Sequence, residues 1–126
     1  MKTLQPESLP APFGRYSHGV AAGRLVVTSG QLALAGDGTI PEGVTAQAEL
    51  CFANIRAILA QAGADFSHVL RFNAFVTERA HMAAYMAVRD RLVAELPVKP
   101  ASTLMIVSGF TRPEFLVEVE ATALLP

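Results

Sequence analysis

Apolar and polar positions alternate along the last stretch of this chain and recur every three or four residues through its middle. From Phe115 to Ala123, Val117, Val119, Ala121 and Ala123 fall on one side of a predicted strand. Leu116, Glu118, Glu120 and Thr122 fall on the other. Ser17 to Ala21 and Arg24 to Thr28 are shorter strand candidates joined through Ala22-Gly23. Leu25-Val26-Val27-Thr28 has the β-branched, apolar character of a well-buried strand, and it stops at Ser29-Gly30-Gln31. His68 to Val76 and Thr103 to Val107 are two more strand candidates, the second followed by a turn around Gly109 to Pro113.

From about Thr45 to Ala62 the period changes: Cys51, Ile55, Ile58, Leu59 and Ala62 recur at helical spacing, and Gly63 stands where a left-handed C-cap is expected. A second helix is predicted from about Ala80 to Leu96, with Met82, Tyr85, Met86, Arg89 and Val93 along one stripe and Pro97 ending it. The first dozen residues, with Pro6, Pro10 and Pro12, read as an irregular lead-in, and residues 35–43 as a surface loop. The order is ββαβαββ. This predicts a single α+β domain over residues 1–126, one sheet with both helices on one face.

The Thr103 strand adds an expectation about assembly. Thr103, Met105 and Val107 point one way, Leu104 and Ile106 the other, and both sets are largely apolar. A strand greasy on both faces is usually covered on both. Two helices cover one face, so a second copy of the chain is expected on the other.

Composition narrows the classes. With 126 residues, 52% of them hydrophobic, the chain is long enough for one real core. Ten basic and eleven acidic residues are scattered without a Lys/Arg run, which argues against nucleic acid as a partner. No apolar stretch is long enough for a membrane span, and the N-terminus lacks a signal-peptide pattern. The single Cys51 needs no oxidising compartment, so a cytoplasmic location is the simplest reading.

Candidate chemistry is sparse. Glu118 and Glu120 share a face about 7 Å apart, and burial of that face would raise a carboxyl pKa, as a general base requires. On pattern alone a solvated polar face is the commoner meaning. In the Ser29-Gly30-Gln31 turn, glycine would let backbone approach a ligand, but on residue types alone an ordinary strand-ending turn is the favoured reading. Tyr16, Ser17 and His18 read as surface and edge residues. His18, His68 and His81 show no metal-ligand spacing, Cys51 lies on an apolar stripe, and no phosphate- or dinucleotide-binding motif is present. No cofactor is expected.

Taken together, Gly14-Arg15-Tyr16-Ser17-His18-Gly19, Val27-Thr28-Ser29-Gly30-Gln31, Gln47 with Asn54-Ile55, Phe75-Val76-Thr77, Pro100-Ala101-Ser102-Thr103 and Val117-Glu118-Val119-Glu120-Ala121 resemble the RidA/YjgF family in order and over nearly the whole chain. The resemblance implies a chorismate-mutase-like fold, a homotrimer with inward-facing sheets, and small-molecule clefts between subunits. It also implies cofactor-free hydrolysis of reactive enamines or imines to keto acids and ammonia. By position, Tyr16, Ser29 and Gly30 would line the cleft, and Glu118 would hold the attacking water. The family's deaminating members carry arginine where this chain has Ser102, and a hydroxyl cannot replace a guanidinium fork for a substrate carboxylate. Tyr85 would stand at the cleft-facing helix position, and Arg15 or Lys99 would have to supply the missing cation. A non-catalytic, metabolite-binding or chaperone-like trimer is the rival class. The ribonuclease label attached to the family finds no basic patch to support it.

Overall fold

The computed structural model describes all 126 residues. The chain runs through β1 (Lys2–Leu4), β2 (Gly19–Ala22), β3 (Leu25–Thr28), β4 (Gln31–Leu32), α1 (Val44–Gln61), β5 (Val69–Val76), α2 (Met82–Val93), β6 (Ala101–Ile106) and β7 (Val117–Leu124). The strands form one mixed sheet in the order β1-β2-β3-β7-β5-β6, with β4 also paired to β7. Only β5 and β6 are parallel, because α2 crosses between them.

The alternation of β7 is realised as predicted. Val117, Val119, Ala121 and Ala123 are buried beneath the helices, while Glu118, Glu120 and Thr122 between them are only partly covered. α1 buries Cys51, Phe52, Ile55, Ile58 and Leu59 against the sheet. Gly63 has φ +74° and ends the helix in the left-handed conformation that suits glycine. Phe52 is the aromatic hub, meeting Phe66 and Phe72 edge-on at 6.1 and 5.1 Å and stacking on Tyr85 at 5.8 Å.

Several expectations need correction. The lead-in is not wholly irregular: Lys2–Leu4 pairs antiparallel with β2 and sinks Leu4 fully into the core. The Ser29-Gly30 segment does not end the pairing, since Gln31 and Leu32 rejoin the sheet opposite Val119 and Glu118. Strands of three and two residues are too short to show a period, and only their distant partners define them. α2 is regular only over Met82–Val93, preceded by a 3-10 turn at Arg79–His81. Its buried stripe holds Tyr85, Val88 and Val93, and Met86 lies outside it.

The face opposite the helices is uncovered within one chain. Leu25, Val27, Met105 and Leu124 are all exposed there, in register with the Glu118 row through Thr122 and Phe75. β6 is a sheet edge, most of it exposed on both sides.

Candidate functional site

Between β3 and β4 the chain leaves the sheet for two residues, Ser29 and Gly30, and re-enters it beside β7. This jog opens a gap opposite the middle of β7, and the Glu118 side chain lies over it. A Cβ built on Gly30 would stand 2.6 Å from Glu118 Cδ and 2.7 Å from its Oε1. Only a residue without a side chain leaves the carboxylate its place.

Around this contact lies a pocket of about 480 Å³. The Pro10–Tyr16 segment forms one wall, the Ser29–Leu32 segment another, and Asn54 of α1, Thr111 and Glu118 complete it. The first wall is held by a polar chain. His18 is almost fully buried, and its Nε2 lies 2.6 Å from the Pro10 carbonyl. A carbonyl only accepts, so Nε2 carries the proton, and Nδ1 accepts from Gln31 Nε2 at 3.3 Å. Gln31 Nε2 also donates to the Ser29 carbonyl, and Ser29 Oγ donates to the Ser17 carbonyl at 2.6 Å. Tyr16 Oη accepts from the Phe13 amide and closes the turn that carries both residues.

Glu118 is the one acidic group on this wall. Its pKa is raised above the usual carboxylate range, first by burial and second by the charge of Glu120. Glu120 itself accepts from Asn73 Nδ2 at 3.2 Å, whereas the Glu118 carboxylate receives no hydrogen bond from the chain. The pair is thus divided into a tethered carboxylate and a free one facing open space.

The sequence-predicted residues separate into two groups. Tyr16, Ser29, Gly30 and Glu118 converge on the pocket. Arg15 is exposed and off its wall. Ser102 lies on β6, in register with Phe72 and Ala121, two buried residues of the helix-covered face. No single chain brings it to Glu118. Tyr85 is corrected outright: it is fully buried against Phe52, and burial pushes its phenol well up. Its neighbour Met86 is the exposed residue on that turn. Lys99 is occupied, its Nζ donating to the Ala94 and Leu96 carbonyls beyond α2. The cation that does meet Ser102 is Arg89, whose Nη1 donates to Ser102 Oγ at 3.0 Å.

His18, expected at the surface from its sequence context, is buried instead, and Gln31 and Asn54 join the pocket without a sequence expectation that they would. Asn54 carried a detectable signal, being a polar residue on the helical stripe that Gln47, Cys51, Ile55 and Ile58 bury. No three His, Cys, Asp or Glu side chains converge as a metal site would need.

The sequence profile of the Endoribonuclease L-PSP family matches residues 6–125. The chain belongs to this family, the RidA/YjgF family. Among its L-PSP relatives, a 2-iminobutanoate/2-iminopropanoate deaminase of Salmonella typhimurium is 31% identical, over 97% of this chain and 96% of that protein. Protein DfrA of Myxococcus xanthus is 35% identical over 97% of this chain and 94% of its own length. The crystal structure of the YjgF gene product of E. coli superimposes with a TM-score of 0.91 at 29% identity, covering 98% of both chains. E. coli TdcF, solved with bound serine, gives 0.93 at 27% identity and full coverage of both. The α+β arrangement is therefore the RidA/YjgF fold.

Proposed function

We propose that this chain is a cofactor-free hydrolase of small enamines or imines, acting as a cytoplasmic homotrimer, with Glu118 as its proton-handling residue. The observation that carries the reading is the free, half-buried Glu118 carboxylate of raised pKa over Gly30. Relatives named as iminobutanoate and iminopropanoate deaminases support the reaction class.

The chemistry asks little of a protein. An imine carbon is already electrophilic, so a positioned water can add to it. Glu118 accepts a water proton as the C–O bond forms and passes it to the imine nitrogen, giving the neutral carbinolamine. It then takes the carbinolamine hydroxyl proton and delivers it to the amino nitrogen as the C–N bond breaks and the C=O bond forms. The products are a carbonyl compound and ammonia, and Glu118 ends in its starting state. A carboxyl held above its ordinary range gives up and takes back a proton near neutrality more readily than an unperturbed one.

The pocket wall contains no lysine or arginine. In this reading the pocket is half of an intersubunit cleft, and the Arg89–Ser102 edge of a neighbouring copy supplies the cation for a carboxylate-bearing substrate. The uncovered Val27, Leu25, Met105 and Leu124 face supports the assembly. With Lys99 engaged by carbonyls and Arg15 off the wall, Arg89 is the basic residue that meets Ser102. Its Nε and Nη2 donate to Asp90 Oδ1 at 2.9 and 2.8 Å, so it would take a substrate carboxylate in competition with Asp90 and Ser102.

The test pairs the protein with an amino-acid oxidase that releases imines and follows their capture as semicarbazones. The wild type is expected to slow semicarbazone formation by shortening imine lifetime. Glu118→Ala should lose that effect, and Arg89→Ala should raise KM at least tenfold. No change in imine lifetime across a panel of amino acids would sink the proposal. The cation-free wall favours a second reading, a metabolite-binding trimer without turnover. That protein would keep its ligand affinity in Glu118→Ala.

A further inference from the structure

Asn54 sits at 7% exposure on the buried stripe of α1, among side chains that are otherwise apolar or fully bonded. Gln47, the other polar residue of the stripe, uses its whole amide: Nε2 donates to the Pro41 and Glu114 carbonyls and Oε1 accepts from the Leu116 amide. The Asn54 amide has no such partner in the chain. It is not sealed away either, as His81 Nδ1 and the Tyr85 hydroxyl are, and it lines the pocket that holds Glu118. Gln31, at 3% exposure on the same wall, donates through Nε2 to His18 and Ser29, and its Oε1 bonds to nothing in the chain.

An unpartnered amide in a helix stripe is costly, and a leucine there would bury more favourably. In the same pocket Asn54 offers a free donor and acceptor and Gln31 a free Oε1 acceptor, with no net charge. Pro10, Leu32 and Leu34 line the rest with apolar surface. The pocket volume of about 480 Å³ lies in the range of sites for drug-sized ligands and far exceeds what a three-carbon imine needs.

We propose that Asn54 and Gln31 form a neutral hydrogen-bonding subsite that selects ligands whose tail carries a primary carboxamide. That group presents N–H donors and a carbonyl acceptor on an uncharged carbon, matching both side chains. An apolar tail of the same shape leaves the Asn54 amide and the Gln31 Oε1 unsatisfied, which is how a site rejects an isostere. This inference rests on the pocket being the imine site proposed above.

The probes are glutaramate, with a terminal carboxamide, and 5-methylhexanoate, its apolar isostere, titrated calorimetrically into the assembled protein. Wild type is expected to bind glutaramate at least tenfold more tightly. Asn54→Leu should reduce that preference below threefold while leaving Tm equal or higher, because the buried amide is gone. Should Asn54→Leu not fold, Asn54→Ala must show the same loss of preference. Equal binding of the two acids, no binding of either, or a preference that survives both variants overturns the subsite. The semicarbazone assay on the same preparations separates the two ideas. Imine turnover without the preference sinks the subsite alone, and the preference without turnover sinks the hydrolase reading alone.

Discussion

Gly30→Ala places a methyl group against Glu118, the side chain that carries the proton in the proposed reaction. The added carbon would lie 2.6 Å from Glu118 Cδ and 3.0 Å from its Cγ. Non-bonded carbons settle near 3.5–4.0 Å, so the carboxyl group must retreat by roughly 1 Å. Gly30 is not among the glycines of positive φ, so alanine fits the backbone there, and the three atoms nearest the added carbon all belong to Glu118. The far end of a flexible side chain moves cheaply, and alanine also restricts the unfolded chain, so stability should change by less than about 1 kcal/mol. Catalysis is less forgiving: a misplacement of about 1 Å costs about a hundredfold, or ~2.7 kcal/mol on the barrier. Imine lifetime followed by semicarbazone trapping should show kcat/KM down about a hundredfold, with an unchanged circular dichroism spectrum and a near-wild-type Tm. Activity within threefold of wild type in the folded variant would refute the claim that the carboxylate's position over Gly30 matters. An unfolded variant would refute the claim that the Glu118 side chain yields cheaply to the added methyl group.

Two further outcomes test the electrostatics and the frame. Glu118 titrates above its ordinary value of 4.5 in the folded chain, so its ionisation opposes folding at neutral pH and that penalty fades as pH falls toward 4.5. Glu118→Gln should therefore raise Tm at pH 7 by a few degrees, with the gain disappearing near pH 4; a Tm lowered at pH 7, or a pH-independent gain, contradicts the burial argument. Gln47→Leu removes three hydrogen bonds of 2.8–2.9 Å that tie α1 to the Pro41 and Glu114–Leu116 segments. Stranding those backbone groups should cost about 2–4 kcal/mol, lowering Tm by about 8–15 °C, and a drop under about 3 °C in a thermal melt would show that water replaces the clamp.

The amino-acid sequence by itself determined the elements whose period is long enough to read. The alternation along β7, the stripe of α1 and its glycine C-cap are local properties, set by strand and helix geometry. They also assigned Glu118 to the face away from the helices. The residues that flank the pocket were legible through ordered motifs: Tyr16, the Ser29-Gly30 pair and Glu118 are far apart in the chain, and family resemblance, not spacing, brought them together. Tertiary structure decided the rest. β1 and β4 exist only as partners of β2 and β7, and His18 is buried because Pro10 and Gln31 close over it. Tyr85 and Met86 are adjacent in sequence, yet helix rotation sends one to the core and the other outward. The same geometry ties Lys99 to the end of α2 and delivers Arg89 to Ser102. Whether a side chain meets a partner depends on the packing of distant segments, and no local pattern carries that information. The free carboxylate of Glu118 and the unpartnered amide of Asn54 are both products of that packing.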